Sequence, residues 1–141
     1  MTRTFGGTRT TMQKHLSNLK ILIVDDQQDV RTLIRDILTE AGVTKIFEAS
    51  DGKDAMQFID MDFNMIDLVI CDWNMPGMSG IDFLRQIRTA FPKMPFLMVT
   101  GRNDKDSVVE AKTAGVTAFI RKPFSPDELE TKVKILSSRM K

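Results

Sequence analysis

Short runs of branched apolar residues, each stopping on a polar residue and each followed by a segment of helical periodicity, constrain this chain more than any other feature. Ile21-Leu22-Ile23-Val24 is the first run, and it stops at Asp25-Asp26. A run with no polar residue to turn toward water suits a strand covered on both faces, as in a parallel sheet. Val30, Leu33, Ile34, Ile37, Leu38 and Ala41 then recur at helical spacing until Gly42 ends the segment. The unit repeats, with strands at Ile46–Ala49, Leu68–Ile70, Phe96–Val99 and Ala118–Ile120. Between them fall helices at Asp54–Phe63, around Ile81, Leu84 and Ile87, and at Asp106–Ala114. A last helix is marked by Leu129, Val133, Leu136 and Met140; Ser125 can cap it, Pro126 suits its first turn, and Glu128 completes a capping box. Five such units need crossover connections, which are right-handed, so the fold class is α/β with a doubly wound parallel sheet. A length of 141 residues allows one such domain and no second large one.

Doubly wound sheets bind ligands just beyond the carboxyl ends of their strands. The first strand delivers Asp25 and Asp26 there, the third Asp72, the fourth Thr100 and the fifth Lys122. Three carboxylates held together repel one another unless a cation intervenes, and an all-oxygen site with few protein ligands favours Mg2+. A carboxylate beside Mg2+ and a lysine can attack phosphorus and become an aspartyl phosphate. Asp72 is the strongest candidate, because it stands alone at the end of a mid-sheet strand, whereas Asp25 and Asp26 are a pair suited to holding metal. Thr100 can donate a hydrogen bond to a transferring oxygen.

Composition excludes several other classes. Lys and Arg number 20 against 19 for Asp and Glu, so no global field draws the chain to nucleic acid or a membrane surface. Cys71 alone cannot form an internal disulfide, and with His15 as the one histidine there is no zinc cluster; both fit a cytoplasmic protein. No apolar stretch approaches the roughly 20 residues of a membrane span. Residues 1–18, rich in Thr, carrying Arg3, Arg9 and Lys14 and lacking any acid, are expected to be a mobile basic tail ahead of a domain over 19–141.

Val24-Asp25-Asp26, the segment Cys71-Asp72-Trp73-Asn74-Met75-Pro76-Gly77-Met78-Ser79-Gly80, Val99-Thr100-Gly101 and Arg121-Lys122-Pro123-Phe124, in that order, resemble the receiver domain of two-component response regulators. The Asp-Trp-Asn-Met-Pro segment is most similar to its single-domain chemotaxis members. The resemblance implies a flavodoxin-like sheet of strand order 2-1-3-4-5. It implies that Asp72 accepts a phosphoryl group from a histidine kinase, and that Asp26, Asp72 and the backbone carbonyl of Asn74 ligate Mg2+ while Asp25 acts through water. Lys122 would contact the phosphoryl group, and the Lys122-Pro123 bond would be cis. Thr100 and the aromatic Phe119 would form the switch, with Phe119 standing where such proteins often carry tyrosine. The fourth helix, fifth strand and fifth helix would be the output surface. Gly101 would loosen the following loop, and Arg102 and Asn74 would flank the path of hydrolytic water. The implied partners are a histidine kinase, a phosphatase and a downstream protein such as a flagellar motor switch, met by a monomer that is no enzyme but a regulatory phosphoacceptor assisting its own phosphorylation and dephosphorylation.

Taken singly, the same residues have plainer readings. Asp25-Asp26 is an ordinary helix-capping pair, Asp72 a turn residue before Pro76-Gly77, Lys122 a solvated charge and Thr100 a strand end; only convergence makes a site of them. Cys71 reads as buried, the ten methionines as adaptable core filler, and Trp73 as either exposed or packed. Lys132, Lys134, Arg139 and Lys141 read as a solvated helix face. An aspartyl phosphohydrolase is disfavoured because Asn74 stands where an acid would protonate the leaving group. A receiver-like adaptor or phosphorelay intermediate, acting through partner binding, is the alternative. With no motif after Lys141, output is expected to run through protein–protein contacts.

Overall fold

The computed structural model describes residues 16–61, 66–101 and 104–139. Its order is β1 (Lys20–Val24), α1 (Gln28–Ala41), β2 (Lys45–Ala49), α2 (Gly52–Met61), β3 (Leu68–Asp72), α3 (Gly80–Ala90), β4 (Phe96–Thr100), α4 (Lys105–Ala114), β5 (Ala118–Arg121) and α5 (Pro126–Ser138). All strand pairs are parallel, and the sheet runs β2-β1-β3-β4-β5, the doubly wound order expected.

Strand alternation explains the all-apolar runs. Leu22, Val24, Val69, Cys71, Phe96 and Met98 point to one face and pack under α2, α3 and α4 through Ala55, Ile59, Leu84, Ile87 and Ala111. Ile21, Ile23, Leu68, Ile70, Leu97 and Val99 point to the other, under α1 and α5, where Ile34, Leu38, Leu129 and Val133 wait. Every residue of β3 and β4 is buried. The edge strand β2 carries exposed Lys45 and Glu48 and has a neighbour on one side only.

Boundaries follow local chemistry. The Ser125–Glu128 capping box forms with both bonds, at 3.1 and 2.9 Å. Asp104, not Asp106, opens α4: its carboxylate accepts from the Ser107 N–H at 3.0 Å and from the Ser107 hydroxyl at 2.9 Å. Asp51 accepts from the Asp54 N–H at 2.8 Å, so α2 starts at Gly52 rather than Asp54, and Phe63 lies outside the described residues. Gly42 closes α1 at φ 111°, a left-handed position that glycine enters without a Cβ clash.

The tail boundary shifts. Residues 16–18 are helical, Leu16 is 1% exposed inside the α1/α5 core, and the Thr44 hydroxyl donates to the Ser17 carbonyl at 2.8 Å. Ordered core therefore reaches Leu16, which the sequence reading placed in the tail; residues 1–15, with His15, lie outside the described residues. Among the described residues no helix is long and apolar enough to cross a membrane.

Candidate functional site

Parallel strands bring their carboxyl ends to one edge, and the candidate residues collect there. Val24 pairs with Cys71, so the residues that follow them, Asp25 and Asp72, leave neighbouring strands side by side. The pairing runs one residue past the strands: Trp73 N–H donates to Val99 O at 2.9 Å, and Lys122 N–H to Thr100 O at 2.8 Å. Lys122, beyond the end of β5, reaches past β4 to place Nζ 3.2 Å from Asp72 Oδ1. Its peptide bond to Pro123 is cis, as the resemblance implied.

The carboxylates of Asp25, Asp26 and Asp72 offer oxygens within 4.8 Å of one another. Asp25 is 1% exposed and Asp72 6%, while Asp26 faces solvent. Burial pushes the Asp25 carboxyl above the ordinary range, and the neighbouring Asp72 and Asp26 charges add to it, against the Gln27 N–H and Lys122. Burial likewise raises Asp72, opposed chiefly by Lys122. Burial, then the charges of Asp72 and Asp25, also drive the Cys71 thiol well up, so this buried cysteine is a neutral packing group. Asp25 Oδ1 accepts from the Gln27 N–H at 2.9 Å, but Oδ2 is buried with no hydrogen-bond partner among the described residues. A buried, unpaired carboxylate oxygen costs free energy unless something positive meets it. Hard oxygen donors crowded around that atom fit a divalent cation such as Mg2+.

The loop after Asp72 is pinned to the sheet. Gly80 N–H donates to Trp73 O at 2.7 Å, and a Cβ on Gly80 would overlap the Asp72 carbonyl and Trp73 Cα, so only glycine lets α3 start this close to β3. Met75 is buried, and Met78 packs against Gly52 at the start of α2. Asn74, just before Met75, is exposed. Trp73 is 5% exposed, which resolves the two readings of it in favour of packing.

Thr100 is buried at the end of β4 and Phe119 is half-buried in β5. With Trp73, Ser107, Val108 and Ala111 they enclose a cavity of about 10 Å³. Phe119 also lines an outer groove of about 410 Å³, together with Val116, Ala118, Lys112 and Lys132. Arg102 lies outside the described residues. Sequence reasoning missed Ser107, whose hydroxyl is buried against Asp104, and Arg31, whose guanidinium reaches the Asp25 carbonyl. Neither stands in a motif, and only the fold brings them to the site.

Comparison with known proteins gives the same picture. The family model described as the response regulator receiver domain matches residues 21–134. The chain is 39% identical over 124 residues to a chemotaxis protein CheY of Pseudomonas aeruginosa, covering 86% of this chain and 98% of that one. It is also 39% identical over 126 residues to chemotaxis protein CheY-3 of Vibrio cholerae, covering 87% and 95%. Among solved structures, the chemotaxis protein CheY4 of Vibrio cholerae superposes with TM-score 0.77 at 30% identity, over 84% of this chain and 98% of that one. A Francisella response regulator receiver domain superposes with TM-score 0.80 at 31% identity, over 88% and 100%.

Proposed function

The chain belongs to the response regulator receiver domain family, and from that premise we propose that it is a phosphorylation switch whose acceptor is Asp72. The observation that supports this most is the grouping of Asp72 with Lys122 at 3.2 Å and with two further carboxylates within 4.8 Å. An oxygen of Asp72 attacks the phosphorus of a kinase's phosphohistidine, the P–N bond breaks, and the imidazole nitrogen keeps the electron pair. Asp25, Asp26, Asp72 and the Asn74 carbonyl would hold Mg2+, which when bound neutralises charge on the transferring oxygens. Lys122 stabilises the phosphoryl group from the other side, and Thr100 turns its hydroxyl toward it.

Output follows from Phe119. A cavity of about 10 Å³ is one water in size, far too small for a phenyl ring. The ring can swing inward only when Thr100 leaves, and in doing so it vacates the outer groove on the α4-β5-α5 face. Phosphorylation adds close to two negative charges, and moving a two-state equilibrium from 1:99 to 99:1 takes about 5.5 kcal/mol of differential stabilisation. Phenylalanine offers no hydroxyl to a partner, so recognition there rests on shape and on Lys112 and Lys132. The similarity to chemotaxis proteins suggests a cytoplasmic role between a histidine kinase and a flagellar motor switch, with a phosphatase as a third partner.

Intact mass after incubation with acetyl phosphate tests this. Wild type in Mg2+ is expected to gain one phosphoryl mass, and neither Asp72→Asn nor wild type in a chelator should gain any. Labelling retained by Asp72→Asn would remove the assignment. Absence of labelling in wild type, together with no response to beryllofluoride, would favour an adaptor acting through partner binding alone.

A further inference from the structure

Asp25 is tied down at three points. Its N–H donates to Ala49 O at 3.2 Å, its Oδ1 accepts from the Gln27 N–H at 2.9 Å, and its backbone carbonyl accepts from Arg31 Nη1. Two of these ties are made by backbone groups of adjacent segments, and the third is a side chain reaching back from α1. Arg31 is itself braced: its Nε donates to Glu48 Oε1 on β2 at 2.9 Å, and its side chain is 15% exposed. The other Glu48 oxygen accepts from Arg35 Nε at 2.7 Å, and Arg35 Nη2 donates to Ile46 O at 3.3 Å. Arg31 and Arg35 thus share one carboxylate, but only Arg31 touches the loop that carries Asp25 and Asp26.

We propose that Arg31, braced by Glu48, is a positioning residue of the metal centre: it fixes the Asp25–Asp26 peptide so that both carboxylates stay gathered against Asp72. The inference rests on the Mg2+ reading above. Its electrostatic sign sets it apart from simple charge effects. A guanidinium beside a cation site repels the cation, so deleting Arg31 should tighten Mg2+ binding if only charge mattered. Residues that orient ligands instead lose about 10- to 100-fold in metal affinity when removed.

Calorimetric titration of Mg2+ into wild type, Arg31→Gln and Arg35→Gln, with melting curves of all three in a chelator, separates these cases. Arg31→Gln is expected to bind Mg2+ about tenfold more weakly and Arg35→Gln within about twofold of wild type, although both lose an α1–β2 ion pair and melt alike. Unchanged or tighter binding by Arg31→Gln would overturn the proposal, as would equal weakening in both variants, which would mark a general α1–β2 brace. If Arg31→Gln does not fold, Arg31→Lys keeps the charge but not the two-pronged reach; weaker binding is again expected and unchanged binding again overturns the role. No Mg2+ binding by wild type would overturn the metal reading itself and this inference with it.

Discussion

Asp25 and Asp72 carry a charge conflict that the fold does not resolve by itself. Both carboxyls are raised above their ordinary value of 3.8, by burial first. A group raised on folding takes up its proton more readily in the native state. Its contribution to stability is therefore fully present below the unfolded value and is lost as pH rises through the folded one. In a chelator, Asp25→Asn should melt like wild type at acid pH and above it at neutral pH. Calorimetric melting across that range checks the divergence, and the same variant should bind Mg2+ more weakly. Lys122→Ala should keep Mg2+ binding and lose the coupling of phosphorylation to structural change. Near-identical amide spectra with and without beryllofluoride would display that loss, and a wild-type response would refute the role. Asp25, Asp26, Asp72, Thr100 and Lys122 were legible because each ends a strand or stands just after one; Arg31 was not, since only a folded α1 carries it back to residue 25.

Elements were readable where the local signal is chemical. Ser125, Pro126 and Glu128 announce the start of α5, and the box they form contributes about 1 kcal/mol. Ser125→Ala should lower the denaturation midpoint accordingly, with the slope of urea unfolding unchanged. Helix starts at Asp51 and Asp104 were read two residues or so late, because a lone Asp before a polar turn does not declare which N–H it will cap. Gly80 looks in the sequence like one more loop glycine; its role as the contact point between β3 and α3 comes from tertiary approach. Gly80→Ala is expected to cost more than about 2 kcal/mol through overpacking against backbone that cannot yield, measurable by urea titration. A cost under 1 kcal/mol would mean that α3 shifts to accommodate the methyl group.

At the scale of the molecule, two cores share one sheet, and the α1/α5 core extends further toward the amino terminus than composition suggested. Leu16 and Leu19 both enter it. Leu16→Ala should destabilise the fold by about 2–5 kcal/mol, as for other buried leucines, and an effect near zero would return residue 16 to the tail. Polar neighbours hide this signal: Leu16 sits among Lys14, His15, Ser17 and Asn18, with no apolar periodicity around it. The switch proposed above is also a property of the whole, since Phe119 borders both a one-water cavity beside Thr100 and a groove open to solvent.

The sequence by itself determined the α/β class, the positions of the strands and the polar residues at their ends. That information is local: apolar runs, helical spacing and caps act over a few residues. Tertiary structure decided that Asp25 Oδ2 is buried unpaired, that Lys122 meets Asp72 from 50 residues away, that Arg31 and Glu48 brace the acidic loop, and that Leu16 belongs to the core. Those are distances between segments remote in sequence, and packing of helices on the two faces of the sheet sets them.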